Sequence, residues 1–118
     1  LLDPQIRRQI WDLVRDLGSK SVTVLLTTHY IEEAELLCDR IGILDHGRLI
    51  ALGSPDELKH QVGRFVVEVS NNGCTHYRLF SCREEACRHA EASVMDVLIR
   101  ESNLEDVFIH LTGKRIEK

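Results

Sequence analysis

An uninterrupted run of apolar and β-branched residues, Val22 to Thr27, most restricts how this chain can fold. A strand without polar alternation is normally covered on both faces, as in a parallel sheet. His29 follows the run two residues later, and a helix-like segment begins at Ile31. In open α/β sheets, ligands bind beyond the carboxyl ends of the strands. The pattern therefore predicts a buried parallel strand over residues 22–27, with His29 as a candidate binding residue at its end.

Helix signals lie on both sides of this run. Asp3 and Pro4 have the residue types of an N-cap and a first helical position. An apolar stripe then follows the helical period as far as Gly18, where we expect the helix to end in a left-handed residue. A second helix is predicted over residues 31–38, and the order helix, strand, helix is typical of a βαβ layer. The stripe consists of Ile6, Ile10, Leu13, Val14 and Leu17.

A hairpin and a capped helix complete the first half of the chain. Asp45-His46-Gly47 separates two apolar runs, which predicts a β-hairpin with glycine in its turn. Ser54-Pro55-Asp56-Glu57 has the spacing of a capping box and predicts a helix to about Val62. Gly63 is the predicted boundary between two domains.

The second half, residues 64–113, has the predicted order β-β-α-β-α, which indicates a small two-layer α+β unit. Asn71-Asn72-Gly73 forms the turn between its first two strands. We expect a capping box at Ser102-Asn103-Leu104-Glu105 and a helix end at Gly113, followed by a tail over residues 114–118. The predicted strands are Phe65–Val69, Thr75–Phe80 and Val94–Ile99, and the predicted helices are Arg83–Ala90 and Leu104–Leu111.

Composition excludes several classes of protein. The net charge of −4 argues against a nucleic-acid-binding surface, which needs a basic face. No apolar run approaches the roughly 20 residues that a membrane-spanning helix needs. The four cysteines form no Cys-x-x-Cys pair, which fits a reducing compartment better than a disulfide framework.

Several other polar and aromatic residues are interpreted as structural. Three acidic residues, Glu32, Glu33 and Glu35, begin the second helix, where they oppose the positive end of its dipole. A group of potential metal ligands fits no zinc template, so no metal site is predicted; it comprises Cys74, His76, Cys82, Cys87 and His89. Trp11 and Tyr30 are interpreted as isolated aromatic residues and not as a stacking platform for nucleic acid.

The region around His29 resembles the switch-histidine region of ATP-binding cassette (ABC) transporter ATPases. The resemblance rests on Leu25-Leu26-Thr27-Thr28-His29-Tyr30, Asp39-Arg40, Asp45-His46-Gly47 and Gly53-Ser54-Pro55-Asp56-Glu57-Leu58. It implies that His29 is catalytic, reaching the γ-phosphate of ATP and helping to position the attacking water. Leu2-Asp3-Pro4 is similar to the D-loop of the family, which implies that Asp3 lies at the ATPase dimer interface near the opposite nucleotide site.

The end of the chain, from Asn103 to Gly113, resembles the C-terminal extension of exporter-type ABC ATPases, including the drug-resistance group. The implied fold is an α/β fragment of a P-loop ATPase core over residues 1–63, with a parallel strand, helices and a β-hairpin. A small α+β accessory domain over residues 64–113 would follow this core.

The resemblance also implies cofactors and partners for the complete protein. ATP and Mg²⁺ would be its cofactors, and a second ATPase subunit and a transmembrane permease its partners, at the cytoplasmic face of the membrane. The 118 residues contain no Gly-x-x-x-x-Gly-Lys-Ser/Thr loop to cradle phosphates. We therefore expect the chain alone to be inactive and to hold no cofactor.

Two further expectations concern association and function. A strand over residues 22–27 without neighbours would present unpaired backbone groups, which favours self-association as a dimer, with strand exchange as one form. As an alternative function, the second half would be a small-molecule-sensing regulatory module without an ATPase role, using the Asn71-Asn72-Gly73 loop and a β-sheet dimer. A purely structural extension is a third reading.

Overall fold

The computed structural model describes residues 3–93 and 96–113, and it divides the chain into two compact units between Asp39 and Arg40. The first unit contains two helices, and the second is a mixture of α-helices and two antiparallel sheets. None of the described helices is long and apolar enough to cross a membrane. The elements are α1 Pro4–Ser19, α2 Ile31–Leu37, β1 Ile41–Asp45, β2 Arg48–Gly53, α3 Pro55–Val62, β3 Phe65–Asn71, β4 Cys74–Phe80, α4 Arg83–Glu91, β5 Asp96–Glu101 and α5 Leu104–Thr112.

The N-terminal cap of α1 is the one that the sequence predicts. The side chain of Asp3 accepts a hydrogen bond from the backbone N–H of Gln5 at 3.0 Å, and Pro4 occupies the first helical position. No residue of α1 is buried in the described structure. The predicted stripe is therefore only partly covered, since Leu13 is 57% exposed.

The predicted end of α1 at Gly18 is wrong. The helix continues through Gly18 to Ser19, and the left-handed residue is Ser21, with φ of 63°. The backbone N–H of Val22 donates to the carbonyl of Leu17 at 3.1 Å. The same carbonyl also accepts from the N–H of Lys20 at 3.2 Å, so the last turn closes on Leu17, the chain reverses at Ser21 and the glycine stays helical.

The predicted parallel strand over residues 22–27 is also wrong. This segment has no regular secondary structure, and neither sheet among the described residues includes it. Leu25 is 92% exposed, so the run is not a buried core strand here. The β-branched composition favours an extended backbone, but a strand exists only when another segment supplies its hydrogen-bond partners.

The hairpin β1–β2 is confirmed. His46 and Gly47 both have positive φ, 50° and 74°, which is the backbone of the two-residue turn that matches the twist of the strands. Ile41 and Ile43 are buried on one face of the hairpin. The following helix α3 begins as predicted, because the Ser54 side chain accepts a hydrogen bond from the N–H of Glu57 at 3.1 Å.

The second sheet has the strand order β4-β3-β5, and α4 packs on it. Val66 and Val67 are adjacent on β3 and both have no exposed surface, so both faces of the strand are covered at this end. The buried apolar core of the second unit consists of Ile41, Ile43, Leu58, Val66, Val67, Ala86, Leu104 and Val107.

The hairpin and α3 belong to the same compact unit as the second sheet. Helix α3 contacts α5, and Leu58 of α3 is 1% exposed. The compact units therefore divide before the hairpin, whereas the sequence predicts domains over residues 1–63 and 64–113. That domain boundary stays a prediction.

The last strand and helix differ slightly from the prediction. Strand β5 begins at Asp96, and the first two residues of the predicted strand lie outside the described residues. The cap of α5 is Asn103 and not Ser102: the Asn103 side chain accepts from the N–H of Asp106 at 2.9 Å, and the Asp106 carboxylate accepts from the N–H of Asn103 at 2.8 Å. Ser102 is buried, and its hydroxyl makes no hydrogen bond within the described residues, so it does not cap the helix. Gly113 ends the helix in the left-handed region, as predicted.

Candidate functional site

His29 lies at a bend between the irregular segment 22–28 and α2. The Thr28 hydroxyl accepts a hydrogen bond from the backbone N–H of Tyr30 at 3.0 Å, which closes a local turn around His29. The imidazole is exposed, and its ring centroid lies 4.3 Å from that of Tyr30. An accessible imidazole supported on one side by an aromatic ring can donate a hydrogen bond to an external anion.

Tyr30 connects this bend to the first turns of α1. The guanidinium of Arg7 lies 4.7 Å from the centroid of the Tyr30 ring, in the range of a cation–π contact. The backbone N–H of Arg7 in turn donates to the carbonyl of Asp3 at 3.0 Å. Tyr30 is therefore not the isolated aromatic that the sequence suggests, and no sequence signal pairs it with Arg7.

A second contact joins the two helices. The indole N–H of Trp11 donates to a carboxylate oxygen of Glu33 at 3.0 Å, in a partly buried position. Glu33 thus helps to pack α2 against α1, which agrees with the structural role that the sequence indicates for it. The contact holds the start of α2, and with it the bend that carries His29.

Asp3 is exposed at the N-terminus of α1, where it serves as the helix cap. No hydrogen bond or ion pair joins Asp3 to His29 within the described part of the first unit. The catalytic role of His29 and the interface role of Asp3 remain predictions.

Cys38, at the C-terminal cap of α2, has the chemistry of a structural thiol. Burial, the neighbouring Asp39 carboxylate and then Glu33 raise the pKa of Cys38 above its usual value. A raised pKa keeps the thiol protonated and reduces its nucleophilicity. Across residues 3–93 and 96–113, no three His, Cys, Asp or Glu side chains are grouped so that they could hold a metal ion.

The second unit contains an open groove on one face of its sheet. Side chains alternate between faces, and the pairing register places Tyr77 and Leu98 on either side of Glu68. The groove has a volume of about 250 Å³. Its lining includes Glu68, Ser70, Thr75, Tyr77, Asp96 and Leu98.

An ion network closes one end of this face. Arg100 of β5 donates to both carboxylate oxygens of Asp106 on α5, at 2.7 and 2.9 Å, and its Nε lies 3.4 Å from a carboxylate oxygen of Glu68. Hydrogen bonding to Asp106 raises the pKa of Arg100 above its usual value, against the opposing effect of burial. Bidentate pairing of this kind fixes orientation as well as charge, so it holds α5 on the sheet.

Comparison with known proteins relates this chain to a family. No protein-family model matches it. The Nod factor export ATP-binding protein I of Bradyrhizobium diazoefficiens is 38% identical over 99% of this chain. The corresponding protein of Ralstonia nicotianae is 38% identical over 98% of the chain. The daunorubicin resistance ATP-binding protein of Streptomyces coeruleorubidus is 39% identical over 95% of it.

The chain is homologous to part of the ATP-binding proteins of ABC transporters. The resemblance seen around His29 and at the C-terminus is thereby confirmed at the level of the family. The ABC homologues extend well beyond the region shared with this chain, which spans 44–45% of the length of these three relatives.

The ABC homologues also differ from this chain within the shared region. The alignment with the Bradyrhizobium protein runs over 138 positions, whereas this chain has 118 residues. At least 20 positions of that alignment are therefore gaps in this chain.

Proposed function

We propose that this chain is the C-terminal part of the ATP-binding subunit of an ABC exporter, which in full length couples ATP hydrolysis to transport through a membrane permease. The observation that carries the proposal is homology along 99% of the chain to a protein named for Nod factor export. The 39% identity to the daunorubicin resistance ATP-binding protein supports the same class of exporter subunit. Residues 1–63 would then complete the P-loop ATPase core, and residues 64–113 would form an accessory domain.

In the complete subunit, His29 would donate a hydrogen bond to the γ-phosphate of ATP and help to orient the attacking water. A histidine suits this role because it can donate to a phosphate oxygen. Its exposure, and its support by Tyr30 at the end of a short turn, are compatible with an external anion as partner. Asp3 would lie at the interface with a second ATPase subunit.

The chain alone supplies too few groups to hold ATP. Its sequence contains no phosphate-cradling glycine loop with its lysine, and ATP and Mg²⁺ would depend on that loop in the complete subunit. Isothermal titration of the 118-residue chain with millimolar Mg-ATP should therefore give no saturable heat. Saturable binding that disappears in His29→Ala would contradict this expectation.

The role of His29 is tested by replacing it with alanine in the complete ATP-binding subunit. We expect kcat for ATP hydrolysis to fall by about 100-fold, while ATP affinity changes far less, because the missing contact acts on the reacting phosphate. His60→Ala is the matched control, since His60 is an exposed histidine of α3. A higher KM for ATP with an unchanged kcat would contradict the catalytic role.

The partners of the complete subunit would be a transmembrane permease and a second ATP-binding subunit. The protein would be peripheral at the cytoplasmic face of the membrane, held there by the permease. The isolated chain is expected to self-associate, because the segment 22–28 leaves Val22, Val24 and Leu25 exposed.

A second candidate function, the sensing of a small molecule by the second unit, is favoured by the groove. Ser70 and Thr75, which line it, flank the Asn71-Asn72-Gly73 turn that the sequence indicates for such a role. Calorimetry of the chain with a panel of metabolites tests this candidate. Saturable binding that is lost when groove residues are replaced would support it, and the absence of binding across the panel would argue for a structural extension.

A further inference from the structure

The face of the second sheet that carries Val66, Glu68 and Ser70 is covered at one end and open at the other. Val66, on the same face as Glu68 and Ser70, has no exposed surface, whereas Ser70 is exposed. At the covered end, Arg100 binds Asp106 of α5. The groove of about 250 Å³ begins where this cover stops.

The charge of this face is negative. Glu68 and Asp96 line the groove, and Asp106 lies at its closed end. Arg100 makes two short hydrogen bonds to Asp106 and a longer ion pair, of 3.4 Å, with Glu68. One guanidinium thus balances Asp106 and is shared with Glu68, while Asp96 lines the groove at its open end, so this face keeps a net negative charge that attracts cations.

Apolar and aromatic surface accompanies the negative charge. Tyr77 is 46% exposed and Leu98 is 56% exposed, and both are paired in register with Glu68. The face of an aromatic ring attracts an ammonium group, and an adjacent aliphatic side chain can cover the apolar part of the same ligand. The groove is slightly smaller than the roughly 300 Å³ at which typical ligand pockets begin, which suits a small molecule.

We propose that this groove binds a small organic ammonium ion. Asp96 and Glu68 face the charge of this ion, and Tyr77 and Leu98 contact its apolar part. The proposal rests on the sensing function above and names the chemical class of its ligand. It does not depend on the ATPase role of His29.

The test is a titration of the ¹⁵N-labelled chain with benzylammonium, followed by amide chemical shifts, beside the same titration with benzyl alcohol. The two probes share the ring and differ in charge. We expect saturable shifts at residues 68–77 and 96–98, with at least fivefold weaker binding of the alcohol. Asp96→Asn and Tyr77→Ala should each weaken benzylammonium binding by about two- to fivefold.

Glu85→Gln is the matched control. It removes an exposed carboxylate from α4, and α4 packs on the opposite face, where its Arg83 lies over the ring of Phe65. Glu85→Gln should leave the affinity for benzylammonium unchanged. Equal binding of the two probes, or an unchanged affinity in Asp96→Asn, would overturn the assignment of a cation.

Different results would overturn the assignment of a cationic ligand and the sensing function itself. If benzylammonium causes no shift while a neutral or anionic metabolite perturbs the same amides, the cation assignment is overturned and the sensing function survives. If no ligand of any charge perturbs this face, both are overturned.

Discussion

At the scale of single residues, Asp3 combines a structural role with a predicted functional one. Its carboxylate caps α1 by accepting from Gln5, and asparagine caps helices about as well as aspartate, whereas alanine does not. Asp3→Asn therefore removes the charge and keeps the cap.

We expect Asp3→Ala to destabilise the chain by about 0.5–2 kcal/mol and Asp3→Asn to leave its stability nearly unchanged. In the complete subunit, Asp3→Asn should nevertheless reduce ATP hydrolysis if the residue acts at the dimer interface. Thermal unfolding and a hydrolysis assay measure the two effects separately. Full activity in Asp3→Asn would leave Asp3 with its capping role alone.

Cys38 offers a prediction that depends on pH. Burial first, and then Asp39 and Glu33, raise the pKa of Cys38 in the folded state above its unfolded value, so the folded state holds this proton more tightly than the unfolded state does. The contribution of this proton to stability is complete below the unfolded pKa of the thiol and is lost as the pH rises through the folded pKa. At pH 8.5, iodoacetamide should modify Cys38 more slowly than the exposed Cys74. Peptide mapping measures both rates, and faster modification of Cys38 would contradict the raised pKa.

At the scale of elements, Gly63 connects α3 to β3 where the chain passes close to β4. Its φ is 143°, and a β-carbon there would lie 3.0 Å from the β-carbon of Leu79 and 3.2 Å from the backbone nitrogen of Phe80. Gly73, in the turn between β3 and β4, also has positive φ, 83°, but a β-carbon there would meet no described atom within 4 Å.

Comparing alanine at these two glycines separates backbone strain from close packing. Gly73→Ala should cost about 1–2 kcal/mol, the penalty for a left-handed backbone. Gly63→Ala should cost about 2–5 kcal/mol, because crowding against β4 adds to that penalty. Urea denaturation of both variants measures the difference. Equal losses would show that the chain relaxes around Gly63.

At the scale of the whole molecule, the exposed apolar side chains of the segment 22–28 lead to a prediction about self-association. Leu25 is 92% exposed and Val22 is 46% exposed, and leaving a large apolar side chain in water costs roughly 1.5–3 kcal/mol relative to burial. Pairing of this segment with a second copy would satisfy its backbone groups and cover these side chains.

We therefore expect a dimer by sedimentation equilibrium, and a shift towards monomer of at least severalfold in Leu25→Lys. Thr23→Lys is the control, because it adds the same charge to the segment and leaves the apolar side chains in place. Hydrogen exchange should show protection of residues 22–27 that increases with protein concentration. A monomer in which residues 22–27 are as well protected as residues 65–69 would contradict self-association.

Local chemistry made much of residues 41–113 predictable. The two-residue turn at His46-Gly47 and the Ser54 cap depend on residues close together in sequence, so they follow from composition and spacing. The same holds for Asn103 as part of a capping motif, although the cap itself lies one residue later than predicted. The predicted order β-β-α-β-α also indicated a small α+β unit, and the structure pairs its three strands antiparallel.

The residue pattern was therefore sufficient to recognise the family, the hairpin, the helix starts at Pro4 and Pro55, and the order of elements from Ile41 onward, because these depend on neighbouring residues. The contacts between distant residues required the three-dimensional structure: Tyr30 with Arg7, Trp11 with Glu33, and Arg100 with Asp106 and Glu68. It also decided that residues 22–27 form no strand here. The physical reason is the same in each case, since strand pairing and long-range side-chain contacts need a partner whose position no local pattern specifies.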